Sequence, residues 1–123
     1  MDSINALTEQ IIGCAYRVSN VLGTGFLERV YENSLAHELL KNDIAVSCQY
    51  PIKVQYDGII VGSYFVDLLV EDKIIVELKT VKHFDSSHLA QCMNYLKATD
   101  KKLALLINFG NAKVQIKRVV NSF

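Results

Sequence analysis

Apolar residues recur at Ile4, Leu7, Ile11, Cys14, Ala15, Val18 and Leu22, three or four apart, and predict an amphipathic helix over residues 4–21. Ser3 or Asp2 is available to cap it, and Gly23-Thr24-Gly25 ends it. A second helix, about residues 27–41, is expected to bury Leu27, Tyr31, Leu35 and Leu39 and to stop at Asn42-Asp43. The period then changes. Residues 45–56 and 59–70 alternate or run through β-branched and aromatic side chains, with Asp57-Gly58 between them as a hairpin signal. A second hairpin leads into strand 74–79. After residues 80–85, Ser86 or Ser87 can cap a helix ending near Thr99, whose inward stripe is Leu89, Cys92, Met93 and Leu96. Leu103 to Phe109 reads as a buried strand. Gly110-Asn111-Ala112 then turns the chain into strand 113–120, with Val114, Ile116 and Val120 alternating with Lys113, Gln115 and Lys117. The order α-α-β-β-β-α-β-β, with a crossover helix before strand 103–109, predicts an α+β (α/β) fold. Its mixed sheet, flanked by helices, has that strand parallel to one of the meander.

Half of the 123 residues are hydrophobic, which supports one domain over residues 1–123 with a sizeable core. A single proline, six glycines and no low-complexity tract leave nothing that reads as a linker. The start, Met1-Asp2-Ser3-Ile4-Asn5-Ala6, lacks a basic segment before an apolar core. No apolar run approaches the ~20 residues of a membrane span. A cytoplasmic protein without membrane partners is expected. Cys14, Cys48 and Cys92 are widely spaced and form no CxxC pair, so they are read as small buried hydrophobes in a reducing compartment. Residues 1–78 carry five Lys/Arg against eleven Asp/Glu, and residues 79–123 carry eight against two. The balance of −6 and +6 makes Lys82, Lys97, Lys101, Lys102, Lys113, Lys117 and Arg118 a candidate phosphate-binding rim; ordinary solvated surface is the alternative.

Three charges interrupt the greasiest stretch: Asp67 in Tyr64–Val70, and Glu77 and Lys79 in Ile74–Lys79. A charge buried without a partner is costly, so three there call for a chemical reason. Glu77 and Lys79 share a face by strand alternation. A two-residue turn at Glu71-Asp72 would pair Asp67 with Val76 and turn it away from Glu77. A three-residue turn, Glu71-Asp72-Lys73, pairs Val70 with Ile74 and sets Asp67 across from Glu77. That second register is the expectation; it puts the two Cβ atoms about 5 Å apart and Lys79 roughly 6.6 Å further along. Two such carboxylates repel unless a proton or cation intervenes. A hard divalent cation, Mg2+ or Mn2+, is the simplest resolution.

Gln91 and Tyr95, four apart, lie on one helix face with His88 above them. Glu28 stands three before Tyr31 and seven before Leu35, which puts a carboxylate beside the inward stripe of its helix; a favourable place near the helix dipole is the alternative. Gly25 fits a positive φ or a close backbone approach before that helix. Glu32 and Glu38 are expected to be solvated.

Gly25-x-x-Glu28-x-x-Tyr31, then Asp67, Glu77-Leu78-Lys79, Gln91 to Tyr95 and Leu106-Ile107-Asn108-Phe109, resembles the GxxExxY protein family of the PD-(D/E)xK nuclease-like superfamily over roughly residues 10–120. The resemblance implies a restriction-endonuclease-like αβββαβ core with an extra N-terminal helix, and a divalent metal held by Asp67 and Glu77. It also implies that the Leu78 carbonyl is a third ligand, that Glu28 binds metal directly or through water, and that Lys79 orients the attacking water. The chain is also similar to nucleases of the RecB type, whose Gln-x-x-x-Tyr helix implies that Gln91 positions Lys79 or a ligand and that Tyr95 contacts a phosphate.

The function expected is therefore a Mg2+-dependent (or Mn2+-dependent) phosphodiester hydrolase acting on DNA or RNA. A catalytically silent nuclease-fold nucleic-acid-binding or regulatory module is the alternative. A third reading is a structural subunit that self-associates through Phe26, Tyr50, Tyr56 and Tyr64. A homodimer would also help a domain this small to span a duplex.

Overall fold

The computed structural model describes residues 3–121 and has the expected element order: α1 (Ser3–Leu22), α2 (Glu28–Lys41), β1 (Val46–Tyr56), β2 (Ile59–Val70), β3 (Ile74–Lys79), α3 (Ser86–Thr99), β4 (Leu103–Asn108) and β5 (Gln115–Val120). The five strands form one mixed sheet in the order β1-β2-β3-β4-β5. Pairing is antiparallel except for β3 with β4, which run parallel across the α3 crossover. α1 and α2 cover one face, burying Ile11, Tyr31, Leu35 and Leu39 against Leu68, Val76, Leu105 and Ile107. α3 covers the other, with Cys92, Tyr95 and Leu96 on Leu69, Ile75, Ala104 and Leu106. β3 and β4 are covered on both faces, which is why they read as continuous apolar runs.

Local chemistry sets the turns. Asp57 and Gly58 both take positive φ (57° and 77°), as the tight turn of a two-residue hairpin requires. Asn42 closes α2, and Asp43 follows it at φ 59°. Leu27 does not join the core: it is the N-cap of α2, 79% exposed, because the helix begins one residue later and directs its stripe through Tyr31 instead. α3 is capped by Asp85 rather than Ser86 or Ser87. Asp85 accepts the Ser87 N–H at 2.8 Å, and the Asp85 N–H donates to His88 Nδ1 at 3.2 Å, a reciprocal cap. At β5, Val114 and Ile116 pack into the α1/α2 core as expected, but Val120 is exposed at the strand's end, and Val119 on the opposite face is buried under α3. Cys14 and Cys92 are buried, but Cys48 is exposed on the edge strand. Asp2, one of the two expected caps of α1, lies outside the described residues; Ser3 is the helix's first residue.

The β1–β2 ribbon turns over part-way along. Val46, Leu68 and Val70 pack into the α1/α2 core, whereas Tyr50, Ile52 and Val66, of the same parity, pack into the α3 core. Simple alternation would keep all six on one face. The reversal falls between the pairs Cys48↔Leu68 and Tyr50↔Val66, at Gln49 and Asp67, where Gln49 takes φ 52°.

At the far end of β3, Asn108 is fully buried and uses its whole amide. Its Oδ1 accepts the N–H groups of Val81 (3.0 Å) and Gly110 (2.9 Å). Its Nδ2 donates to the Val81 carbonyl (2.7 Å) and Gln115 Oε1 (3.0 Å). The Phe109 N–H also reaches the Lys79 carbonyl at 2.8 Å, so the exit of β3 is held by β4. Gly110 has no room for a side chain there: a Cβ would collide with the Val81 backbone carbonyl.

Candidate active site

The register that converges the carboxylates is the one observed: Val70↔Ile74, Leu69↔Ile75 and Leu68↔Val76, with the Lys73 N–H on the Val70 carbonyl at 2.9 Å. Beyond Leu68↔Val76 the backbone ladder stops, and side chains take over. The Asp67 N–H donates to Glu77 Oε1 and the Leu78 N–H to Asp67 Oδ2, each at 2.8 Å. Strands β2 and β3 diverge here, so the two carboxylates bridge the gap between them.

Electrostatically the pair is unsettled. Glu77 is 6% exposed, and burial first, then the Asp67 charge, push its carboxyl up to about 8. Lys79 pulls in the opposite direction without forming a contact ion pair among the described residues. Glu28 belongs to the same constellation. Lost hydration raises its carboxyl, Lys79 lowers it and Asp67 raises it, while its hydrogen bond with the Thr80 backbone lowers it. Glu28 is held there by the loop before α2. Gly25 takes φ 106°, and the fully buried Tyr31 donates its O–H to the Gly23 carbonyl at 2.6 Å. The Tyr31 ring stacks on Phe109 with centroids 4.7 Å apart.

Gln91 and Tyr95 share a face of α3, as expected. With Val54, Tyr64 and Asn94 they line a cleft of about 310 Å³ between α3 and the β1–β2 ribbon. Tyr95 is buried with its ring 5.9 Å from that of Tyr64. Its hydroxyl is pushed up to about 12 by burial and then by the Glu77 charge, which places it electrostatically beside the carboxylates. His88 serves in the α3 cap. Lys82 is exposed on the loop after β3, with its carbonyl accepting Asn111 Nδ2 at 2.9 Å.

The basic residues do not form one rim. Lys79 pairs with Asn108 and Ile74 with Leu103, so Lys101 and Lys102, which precede β4, lie at the end of the sheet away from Lys79. Lys101 is engaged there with Asp72 at 3.4 Å, and Arg118 donates to Asn5 Oδ1 at 3.1 Å. Glu38 is half-buried, paired with Arg17 (3.0 Å) and Lys41 (3.2 Å) instead of simply solvated.

Sequence reasoning missed two residues beside Asp67. Glu32 is 5% exposed, not solvated, because α2 lays it against β1, where Gln49 Nε2 donates to its Oε1 at 2.9 Å. The same amide lies 3.5 Å from Asp67 Oδ1. Glu32 follows Tyr31 directly, so an inward stripe drawn one residue wider would have found it. Gln49 gave no signal in its own strand.

Two carboxylates, neither with a contact cation among the described residues, suit a hard divalent ion by donor chemistry. Mg2+ is commonly held by one or two carboxylates, with water and phosphate in its other positions. Among the described residues no group of three or more His, Cys, Asp and Glu stands pre-gathered as a metal cage.

The sequence profile of the PD-(D/E)XK nuclease superfamily matches residues 5–119. No curated protein matches the chain. Among solved structures, the crystal structure of SSO0001 superposes with a TM-score of 0.58 at 16% identity, covering 97% of this chain and 59% of that one. An alkaline exonuclease (LHK-Exo) from Laribacter hongkongensis superposes with a TM-score of 0.53 at 12% identity, covering 94% and 82%. The chain thus spans about three fifths of the first structure's length, and at these identities the likeness is one of fold.

Proposed function

The chain belongs to the PD-(D/E)XK nuclease superfamily, and from that premise we propose that it is a Mg2+-dependent (or Mn2+-dependent) phosphodiester hydrolase acting on DNA or RNA. One observation carries the reading: Asp67 and Glu77 converge where β2 and β3 part, with Lys79 beside them and no contact cation among the described residues.

Asp67 and Glu77 would hold the cation, with Glu28 joining directly or through water and the Leu78 carbonyl as a further ligand. When bound, a hard divalent cation supplies Lewis acidity toward water and a phosphoryl oxygen. Glu77 must release its proton for loading, since the ligating form is the carboxylate. Lys79 Nζ orients the attacking water and offsets charge developing on the phosphate. Gln91 positions Lys79 or the substrate, and Tyr95 contacts a phosphate from the cleft wall. Lys82 adds positive charge beside the substrate backbone. Within the superfamily, the GxxExxY branch is the finer reading, supported by the positive φ of Gly25 and the Tyr31 clasp that together set Glu28. The three free thiols fit a cytoplasmic location.

Purified protein incubated with single- and double-stranded DNA and RNA plus Mg2+ or Mn2+ tests the reading. Cleavage is expected, and it should be lost in Lys79→Ala and Asp67→Ala. Cleavage that is absent, or unchanged in those variants, overturns it. The zero net charge of the chain, unusual for a protein that must grip a polyanion and turn it over, favours the second reading, a silent nucleic-acid-binding or regulatory module. Calorimetric Mn2+ binding without hydrolysis would select it. Phe26, Tyr56 and Tyr64 are exposed and suit a homodimer, which size-exclusion chromatography at two concentrations checks.

A further inference from the structure

We propose that Gln49 and Glu32 are positioning residues for Asp67, which set the direction of its carboxylate from the edge strand; the inference rests on Asp67 being a metal ligand. Among the described residues, the other non-glycine positions with positive φ, Asp43, Asp57, Glu71, Asp72 and Asp100, all lie in turns or beside helix ends. Gln49, at φ 52°, lies inside β1. L residues adopt that conformation at a cost, and it persists where the surroundings enforce it.

Cys48 pairs with Leu68 and Tyr50 with Val66, so the residue opposite Gln49 is Asp67, and here the ribbon exchanges one core for the other. The strained residue and the carboxylate are the two sides of one turn-over. The turn-over leaves Asp67 outside the regular ladder on both sides, with its N–H bonded to Glu77 Oε1 instead of a strand carbonyl.

A carboxamide has two N–H donors on one nitrogen, so a single Gln can stand between two carboxylates. Gln49 Nε2 lies 2.9 Å from Glu32 Oε1 and 3.5 Å from Asp67 Oδ1. Glu32 is buried, and its nearest cation, Arg29, is 3.8 Å away on an exposed side chain. Glu32 anchors the amide, and the amide faces Asp67 Oδ1 while Leu78 holds Oδ2. Partners behind metal ligands commonly govern affinity by fixing ligand orientation.

The experiment is calorimetric titration with Mn2+ alone, with thermal midpoints measured in parallel. Gln49→Gly removes the amide and accepts the left-handed φ; Mn2+ affinity should fall roughly ten- to hundredfold, while the relief at φ offsets part of the stability lost by leaving Glu32 without its partner. Glu32→Ala should show the same loss, and Glu32→Gln, which keeps an oxygen to accept from Gln49, should restore near wild-type affinity. Should the glycine variant not fold, Gln49→Asn keeps the φ but is one methylene too short, and it should lose affinity likewise. Wild-type affinity in Gln49→Gly or Gln49→Asn, or equal losses in Glu32→Gln and Glu32→Ala, overturns the proposal alone. No Mn2+ binding by the wild-type protein overturns it together with the metal-site reading.

Discussion

Two polar clusters sit at the exit of β3, and they are built on opposite terms. Around Asn108 every hydrogen-bonding position of a buried amide is met by the backbone of Val81 and Gly110 or by Gln115, and no charge is involved. Around Asp67 and Glu77 the hydrogen bonds are also short, yet two carboxylates face each other and burial holds one of them far above its ordinary range. A closed network in a low-dielectric interior rigidifies. An unbalanced one stores an affinity for whatever neutralises it. The first cluster fixes where the exit of β3 and Lys79 are; the second leaves something for a ligand to do.

The largest expected effect lies on the open side. Lys79→Ala should reduce cleavage by roughly 10²- to 10³-fold, the usual cost of removing one transition-state donor, with little change in thermal midpoint; initial rates and a melting curve check both. On the closed side, Asn108→Ala orphans backbone groups of Val81 and Gly110 and should cost roughly 2–4 kcal/mol in urea denaturation. Wild-type stability in that variant would erase the contrast.

Acidity separates the clusters more finely. Folded Glu77 keeps its proton to about pH 8, whereas the unfolded chain releases it near 4.5, so between those values the native state binds more protons. The stabilising contribution is complete below about pH 4.5 and is lost as pH rises through 8, with a slope of at most ~1.4 kcal/mol per pH unit. Without added metal, wild-type stability should therefore fall across this window relative to Glu77→Gln, measured by urea titration at several pH values. Parallel curves would show that Glu77 is not perturbed. The smallest effect is Tyr95→Phe, which removes one hydroxyl at the edge of the site and should change stability by less than about 1 kcal/mol while slowing cleavage only modestly.

Much of this was legible locally. The helix of residues 3–22 follows from three- and four-residue spacing, and the Asp57-Gly58 hairpin from two residues that tolerate positive φ. Parity selects the three-residue turn once Asp67 and Glu77 are taken to share a site, because the alternative sends the carboxylates to opposite faces, and the observed register is that one. Glu32 was misjudged because its neighbours on α2 do not reveal that the helix presses it against β1. Whether the basic half of the chain forms one rim or ordinary solvated surface is not legible in the sequence, because strand direction, not charge count, separates Lys82 from Lys101.

By itself the sequence determined the element order, the apolar stripes, the turn residues and the carboxylate–carboxylate–lysine set, since each depends on spacing along one or two adjacent segments. Only the tertiary structure decided which helix covers which face, that the β1–β2 ribbon reverses at Gln49 and Asp67, and that Glu32 is enclosed beside them. Those features arise where elements remote in sequence exclude water from the same point. Burial and the electrostatics that follow from it are properties of that enclosure.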